Sequence, residues 1–259
     1  MTVYYMNGAG NDFVIIDARG REDSDFSALA RECCARTGAD GFMAVGLSET
    51  ANFRLHFYNS DGTRGEMCGN GARCISRFAY ELGLAGEEMT IQTDAGPIRS
   101  WRIDESHYRV QLNNPGIVDL RRKGNIAYVE LGTPGIPHAV AEYGGDLWAD
   151  ADCIWDPMRC LRYDPAFPKG ANVNFYQILG ENEVRILTYE RGVEDFTLAC
   201  GTGTGSVAVT MWLRGQLTGD VLTAHNRGGT LKITLSGREG KVESLLLDGP
   251  TEVIKVYDR

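Results

Sequence analysis

Hydrophobic residues along the chain recur with two different periods, and these periods predict strands and helices. Phe53, Leu55 and Phe57 alternate with polar neighbours, which is typical of a half-buried strand. Comparable strand patterns cover residues 2–6, 13–17, 42–47, 89–93, 98–103, 108–112, 126–131, 171–179 and 184–189, with two more strands within 241–257. The chain is therefore predicted to be rich in strands.

Helical spacing occurs in fewer places. Phe26, Leu29, Ala30 and Cys33 stand at i, i+3, i+4 and i+7, which predicts a helix over residues 26–36. Apolar stripes also predict helices around residues 75–82 and 207–213. Residues 141–170 are polar and irregular and show only a weak helical pattern.

Two cysteine motifs, 132 residues apart, share one arrangement of elements. Cys68-Gly69-Asn70-Gly71 and Cys200-Gly201-Thr202-Gly203 each follow a predicted strand and precede a predicted helix. The repeat indicates an α+β fold of two pseudo-symmetric halves, each a mixed sheet wrapped around a central helix, with an active site in the cleft between them. A turn cluster at 113–116 places the halves at residues 1–115 and 116–259, with a last strand near 250–259 packing back on the first half.

Composition narrows the class of function. A net charge of −9 disfavours nucleic-acid binding, because phosphate neutralisation needs basic surface. No apolar run approaches the roughly 20 residues that span a bilayer, so membrane insertion is not expected. Residues 1–5 lack the pattern of a signal peptide, which leads us to expect a cytoplasmic protein.

The seven cysteines indicate reduced thiols, because their number is odd and no export signal accompanies them. No pair has the C-x₂₋₄-C spacing of a structural zinc site, so no metal is expected. We interpret Cys33, Cys34, Cys74, Cys153 and Cys160 as structural.

A cysteine at the start of a helix lies beside unpaired backbone N–H groups, which favour a thiolate and can hold an anionic ligand. Two such thiols have three sensible uses, namely redox exchange, nucleophilic catalysis and two-base proton transfer at a carbon. Redox exchange normally uses one C-x-x-C unit, and nucleophilic catalysis leaves one cysteine without a role. Only proton transfer requires two separate motifs of equal quality.

Further motifs extend this interpretation over the whole chain. They are Asn7-Gly8-Ala9-Gly10-Asn11-Asp12-Phe13, Asn59-Ser60-Asp61-Gly62, Met67-Cys68-Gly69-Asn70-Gly71-Ala72-Arg73, Pro137-His138, Asn172-Val173-Asn174-Phe175, Glu190-Arg191-Gly192 and Ala199-Cys200-Gly201-Thr202-Gly203. In order and spacing this set resembles the diaminopimelate epimerase family. Proline racemases and phenazine-type isomerases resemble the fold, but the Asn-rich first loop and the Glu-Arg-Gly tripeptide point away from them.

The resemblance implies an isomerase that needs no cofactor, pyridoxal phosphate included, and inverts one α-carbon of diaminopimelate in lysine and cell-wall precursor biosynthesis. Cys68 and Cys200 would be its base and acid, with His138 and Glu190 influencing one thiol each. The other implied contacts to the amino-acid substrate come from Asn11, Asn59, Gly69, Asn70, Asn172, Arg191, Gly201 and Thr202. The resemblance leaves a homodimer open.

Some alternatives remain open at this stage. Ile136 stands where the family often has asparagine, which raises the alternative of a related racemase with another amino-acid substrate. A redox-responsive amino-acid-binding protein without turnover is the non-enzyme alternative. Structural roles also stay open for His138, for Glu190 and for the asparagines at positions 11, 59 and 172.

Overall fold

The computed structural model describes residues 1–21, 24–65 and 68–258, and over these residues strands greatly outnumber helices. The strands are β1 (Thr2–Gly8), β2 (Asn11–Asp17), β3 (Gly41–Gly46), β4 (Phe53–Asn59), β5 (Arg64–Gly65), β6 (Glu88–Thr93), β7 (Gly96–Arg102), β8 (His107–Gln111), β9 (Pro115–Lys123), β10 (Ile126–Gly132), β11 (Gly135–Glu142), β12 (Asn172–Gly180), β13 (Glu183–Glu190), β14 (Asp195–Thr197), β15 (Val221–Asn226), β16 (Gly229–Arg238), β17 (Lys241–Pro250) and β18 (Glu252–Asp258). The helices are α1 (Ser27–Thr37), α2 (Gly69–Glu81), α3 (Ala151–Arg162) and α4 (Gly201–Leu213).

The chain divides into two compact units. The first comprises Met1–Gln111 and Asp248–Arg259, and the second comprises Leu112–Leu247. The C-terminal strand β18 therefore belongs to the first unit, where it pairs antiparallel with β1.

Strand pairing in the first unit follows a fixed sequence of directions. β1 and β2 are antiparallel, β2 and β3 parallel, and β3 and β4 antiparallel. β4 then pairs antiparallel with β5 and parallel with β6, which pairs antiparallel with β7. The result is a mixed sheet.

The second unit repeats this sequence of directions strand for strand. β10 and β11 are antiparallel, β11 and β12 parallel, and β12 and β13 antiparallel. β13 pairs antiparallel with β14 and parallel with β15, which pairs antiparallel with β16. The prediction of two similar halves with mixed sheets is confirmed.

One helix in each unit is almost entirely enclosed. Residues 69–76, 78 and 79 of α2 are buried, and α2 contacts β1, β2, β3, β7 and β8. Residues 201 and 203–211 of α4 are buried, and α4 contacts β10, β11, β12 and β16. Enclosure explains the small residues in the first turns of these helices, because Cβ atoms there would meet the surrounding sheet.

The other helix of each unit packs with one face. α1 contacts β3 and β4 through Ala30, Cys33 and Cys34, in a core that includes Phe26 and Phe42. The predicted helix over 26–36 and the predicted burial of Cys33 and Cys34 are thus confirmed.

Residues 141–170 showed only a weak helical pattern, but they contain α3, a helix of twelve residues. Only Ala151, Ile154 and Met158 are buried along it, and Pro157 interrupts its interior. A narrow apolar stripe and an internal proline both weaken the helical signal. Cys153 and Cys160 are exposed on α3, so the prediction that they pack as structural residues was wrong.

Two turn predictions also need correction. The predicted boundary turn at 113–116 overlaps β9, whose first residues are Pro115 and Gly116. β9 is mostly exposed and so shows no alternation, and proline is tolerated at the first position of a strand. The predicted loop at 7–12 is only a two-residue hairpin turn at Ala9 and Gly10, both with positive φ.

No helix within the described part of the chain is long and apolar enough to cross a membrane.

Candidate active site

The first unit places Cys68 at the N-cap of α2. Its backbone is extended, with φ −127° and ψ 123°, and its side chain is half-buried. The carbonyl of Cys68 accepts from the N–H of Ala72 at 2.7 Å, which closes the first helical turn. Met67, the first residue of the predicted motif, and Glu66 before it lie outside the described residues.

The second unit places Cys200 at the N-cap of α4 in nearly the same backbone conformation. Its φ is −125° and its ψ is 110°, and its carbonyl accepts from the N–H of Thr204 at 2.9 Å. Cys200 is buried, and its Sγ accepts from the N–H of Gly203 at 3.4 Å. The hydroxyl of Thr202 lies 3.6 Å from the same sulfur.

Each cysteine is followed by backbone N–H groups that can bind an anion. Gly69 and Asn70 are the first two residues of α2, and Gly201 and Thr202 are the first two of α4. N–H groups in these positions have no acceptor within their own helix and lie at the positive end of its dipole. A carboxylate is therefore a suitable ligand at either helix start.

The second glycine of each motif is required by close packing. A Cβ on Gly71 would lie 2.0 Å from Met43 Cε, and a Cβ on Gly203 would lie 2.1 Å from Asn174 Oδ1. Close packing thus accounts for the second glycine of the pattern in both units.

Asn11 and Asn70 are brought together in the first unit. Asn70 Nδ2 donates to Asn11 Oδ1 at 2.6 Å, and Asn11 Nδ2 donates to Asp40 at 3.2 Å. Arg73 donates to Asn70 Oδ1 at 2.9 Å. The predicted binding residues Asn11 and Asn70 therefore belong to one hydrogen-bonded chain that starts at a buried arginine.

Asn59 occupies a different environment. It is the last residue of β4, it is exposed, and its Nδ2 donates to the hydroxyl of Thr63 at 2.9 Å. Thr63 in turn donates to Asp61 at 2.6 Å. This contact orders the turn that leads towards Cys68.

His138 of the second unit is completely buried in β11. Asn174 Nδ2 donates to its Nδ1 at 3.1 Å, so the neutral ring carries its proton on Nε2. Among the described residues nothing pairs with that Nε2. Burial, with the charge of Arg191 adding to it, lowers the pKa of His138 to about 3. His138 is therefore a neutral hydrogen-bond donor at physiological pH.

Asn172, Glu190 and Arg191 lie close together at the ends of β12 and β13. The backbone N–H of Arg191 donates to Asn172 Oδ1 at 2.8 Å, and its guanidinium donates to the carbonyl of Lys169 at 3.0 Å. Glu190 accepts from the hydroxyl of Thr197 at 2.8 Å. These contacts fix the Glu190-Arg191 pair just ahead of the second cysteine motif.

No role was predicted from the sequence for Asn174 or for Arg73. Asn174 is completely buried between His138, the hydroxyl of Thr188 and the first turn of α4. The sequence could have pointed to Asn174, because Asn172 and Asn174 are two residues apart in a strand and their side chains therefore lie on the same face. Arg73 carried no such signal, since its burial depends on the sheet around α2.

No group of three or more histidine, cysteine or acidic side chains within the described ranges could hold a metal ion.

Comparisons with known proteins show the family to which this chain belongs. A family model described as diaminopimelate epimerase matches residues 3–118 and 148–252. Diaminopimelate epimerase of Chlorobaculum tepidum is 34% identical, over 96% of this chain and 97% of the relative. The enzyme of Archaeoglobus fulgidus is 36% identical, over 89% of this chain and 88% of the relative. The chain belongs to the diaminopimelate epimerase family. It is an isomerase of the epimerase class.

Solved structures of lower sequence identity share the fold. A Bacillus anthracis phenazine biosynthesis protein of the PhzF family superposes with a TM-score of 0.74 at 14% identity, covering 99% of this chain and 98% of that one. A probable proline racemase from Agrobacterium radiobacter K84 gives a TM-score of 0.66 at 15% identity, covering 100% and 92%. The epimerase family therefore shares its architecture with proteins of different names.

Proposed function

We propose that this protein inverts one α-carbon of diaminopimelate, between the LL and meso forms, by proton transfer between Cys68 and Cys200. The observation that carries the proposal is the matched pair of cysteines. Each caps a thirteen-residue helix in the same extended backbone conformation, at the same point of a duplicated sheet. Family membership supplies the substrate, which fits a place in lysine and cell-wall precursor biosynthesis.

The proposed step conserves protons and needs no pyridoxal phosphate. One cysteine, as a thiolate, takes the α-proton and becomes a thiol, while the electron pair stays on the α-carbon as a carbanion. The other cysteine, as a thiol, gives its proton to the opposite face and becomes a thiolate. Substrate of the opposite handedness uses the two residues in exchanged roles.

We assign stabilisation of the carbanion to the N-termini of α2 and α4. The α-carboxylate would accept from backbone N–H groups of Gly69, Asn70, Gly201 and Thr202. Fixed donors aimed at developing negative charge lower the barrier without reorganising during the reaction. Burial of both helices supports this role, because low polarity strengthens such interactions.

His138 and Glu190 are proposed to influence the thiols rather than to take the α-proton. Neutral His138 offers an Nε2–H donor, which can stabilise a nearby negative charge. Glu190 stands next to Arg191, and we assign the distal carboxylate of the substrate to the Arg191 guanidinium. Asn11, Asn59 and Asn172 complete the proposed binding residues. The enzyme would act on a free amino acid in the cytoplasm, with a homodimer as the proposed assembly.

A related racemase with another amino-acid substrate is the second candidate, and Ile136 favours it. Ile136 is 36% exposed in β11, where the family often carries an amide. Loss of that amide affects substrate binding and leaves the two cysteines unchanged. A binding protein without turnover is less well supported, because both cysteine motifs are complete.

Solvent exchange tests the proposal. In heavy water, purified enzyme should convert LL-diaminopimelate to product that carries deuterium at the inverted α-carbon. Cys68→Ala and Cys200→Ala should each abolish inversion, whereas Cys160→Ala, which removes an exposed thiol on α3, should retain it. Near-normal inversion by either of the first two variants would remove that cysteine from the mechanism. Absence of any exchange with wild-type enzyme would favour the binding protein.

A further inference from the structure

Arg73 is a completely buried arginine in the second turn of α2. Its guanidinium donates to the carbonyl of Gly69 at 3.3 Å and to Oδ1 of Asn70 at 2.9 Å. Within the described residues its Nε has no hydrogen-bond partner. Both of these hydrogen bonds are therefore to neutral groups in the helical turn that Cys68 caps.

The position of Arg73 is electrostatically unfavourable without an anion nearby. Burial lowers the pKa of Arg73, yet an arginine side chain stays protonated in proteins. The positive end of the α2 dipole repels a cation in the first turns. A buried charge without compensation is strongly destabilising, so a nearby group must compensate that of Arg73.

The described carboxylates that face this region are already engaged. Asp248 of β17 accepts from Arg109 at 2.5 and 2.6 Å. Asp12 of β2 accepts from Tyr5 and Asn7, both at 2.7 Å. Across the described ranges, no carboxylate forms an ion pair with Arg73.

Among the described residues, the remaining charged or ionisable neighbours lie on α2 or at its N-cap. Arg77 is paired with Glu81 at 2.7 Å. Cys74 is completely buried, which raises the pKa of its thiol to about 12 and keeps it neutral. Of these described neighbours, Cys68, which is half-buried and interacts electrostatically with Arg73, is the one that can carry a compensating negative charge.

The second unit has no counterpart of Arg73. The matching position of α4, five residues after Cys200, is Gly205. A Cβ there would lie 3.0–3.3 Å from side chains of Leu112, Leu245 and Leu131. An arginine could not be accommodated, so the two cysteines differ in their electrostatic surroundings although their backbones match.

We propose that Arg73 is a positioning residue that holds Cys68 as the thiolate of the resting enzyme and leaves Cys200 as the thiol. Arg73 does so through its buried charge and through Asn70, whose side chain it orients. The proposal rests on the proposed function for the roles of the two cysteines. It implies that the resting enzyme is poised for one direction of proton transfer.

Alkylation with iodoacetamide over a range of pH tests the proposal without substrate. In wild-type enzyme, tryptic peptides 65–73 and 192–214 each contain one cysteine, so mass spectrometry can follow Cys68 and Cys200 separately. In Arg73→Met the first peptide becomes 65–77, which also contains Cys74, and fragment ions distinguish Cys68 from Cys74 there. In wild-type enzyme the pH midpoint for alkylation of Cys68 should lie below that of Cys200. Equal midpoints, or a lower midpoint for Cys200, would overturn the proposal even if no variant folds.

Substitution separates the charge of Arg73 from its bulk. In Arg73→Met the midpoint of Cys68 should rise by about one pH unit, because an opposite charge nearby lowers a thiol pKa by that order. Arg73→Lys keeps the charge and should stay close to wild type. Arg77→Met, the same substitution one turn later in α2, is the matched control and should leave the midpoint unchanged. A folded Arg73→Met enzyme with the wild-type midpoint would overturn the proposal.

Kinetics give a readout that a purely structural role would not move. In Arg73→Met the acidic limb of the pH profile of kcat/KM should shift to higher pH. Activity should recover when the pH is raised. The thiol midpoints do not depend on turnover, so failure of the proposed function leaves them interpretable. If Arg73→Met epimerises diaminopimelate and the acidic limb of its pH profile is unshifted, the role proposed for Arg73 is rejected and the proposed function stands.

Discussion

Nδ2 of Asn174 lies 3.1 Å from Nδ1 of His138, and both side chains are completely buried. The same amide accepts from the hydroxyl of Thr188 at 2.9 Å through its Oδ1. Asn174 thereby fixes the ring and its tautomer, with the proton on Nε2. A histidine held in this way cannot gain a second proton without breaking the contact.

The burial of His138 predicts acid sensitivity well above the range in which carboxylates titrate. The folded pKa of about 3 lies below the unfolded value of about 6.5, so the unfolded state binds more protons between these values. Stability must then fall as the pH drops through the unfolded pKa. We expect His138 to contribute a loss of about 2 kcal/mol between about pH 7.5 and pH 5.

Urea denaturation of wild type and His138→Gln across that window measures this contribution. The variant should show a flatter dependence of unfolding free energy on pH. His107→Gln, at a half-exposed histidine in β8, is the control and should keep the wild-type slope. Identical slopes for wild type and His138→Gln would contradict the prediction.

The glycines at the third positions of α2 and α4 should differ in their tolerance of a methyl group. A Cβ on Gly203 would meet Oδ1 of Asn174, which is buried and hydrogen-bonded, whereas a Cβ on Gly71 would meet the terminal methyl group of Met43, an unbranched and flexible side chain. Overpacking of this kind costs about 1–3 kcal/mol. We expect Gly203→Ala to be the more destabilising of the two.

Thermal and urea unfolding of Gly71→Ala and Gly203→Ala measure which variant is the less stable. Gly86→Ala is a suitable control, because a Cβ there meets no atom within 4 Å. A Gly71→Ala enzyme less stable than Gly203→Ala would show that Met43 cannot move and would reverse the argument.

Local sequence signals predicted the features that depend on local structure. The Cys-Gly-x-Gly motifs indicate where a strand ends and a helix begins, so the N-cap positions of Cys68 and Cys200 could be predicted from the sequence alone. The repeat of those motifs was enough to predict the duplicated sheet, since each copy carries its own strand before the cysteine.

Other features depend on the environment that distant segments create. Arg73 is buried because the sheet encloses α2 on several sides, and nothing near position 73 in the sequence shows this. The strand β9 was missed because an exposed strand has no hydrophobic alternation. The pairing of His138 with Asn174 requires the parallel register of β11 and β12, which spacing alone does not give.

Cysteine reactivity should separate the thiols by burial. Burial raises the pKa of Cys34 to about 11 and that of Cys74 to about 12, and both are nearly inaccessible. Cys153 and Cys160 are exposed on α3. In native protein at about pH 8 we expect iodoacetamide to label Cys153 and Cys160 while Cys34 and Cys74 are still unlabelled. Labelling of Cys74 at the rate of Cys153 would contradict the enclosed position of α2.

The guanidinium of Arg191 should decide the class of substrate. One of its nitrogens donates to the carbonyl of Lys169, which orients the group, and its other N–H donors can bind a carboxylate. Arg191→Gln removes the charge and should lower kcat/KM for diaminopimelate by more than about a hundredfold. Arg191→Lys keeps the charge without the planar fork and should fall in between. A variant Arg191→Gln with nearly wild-type kcat/KM would remove Arg191 from the binding residues.

Ile136 should set the affinity within that class. An asparagine at this exposed position of β11 would restore a hydrogen bond to a charged group, worth about 1.5–3 kcal/mol. Ile136→Asn should therefore lower KM for diaminopimelate about ten- to a hundredfold, with kcat little changed. Ile178→Asn, the same substitution at an exposed isoleucine of β12, controls for general effects on the unit. An α-proton exchange screen of diaminopimelate, glutamate, lysine, ornithine, histidine and proline completes the test. If a monocarboxylate is turned over better than diaminopimelate, and Ile136→Asn does not change that order, the site is built for another amino acid and Arg191 has a different partner.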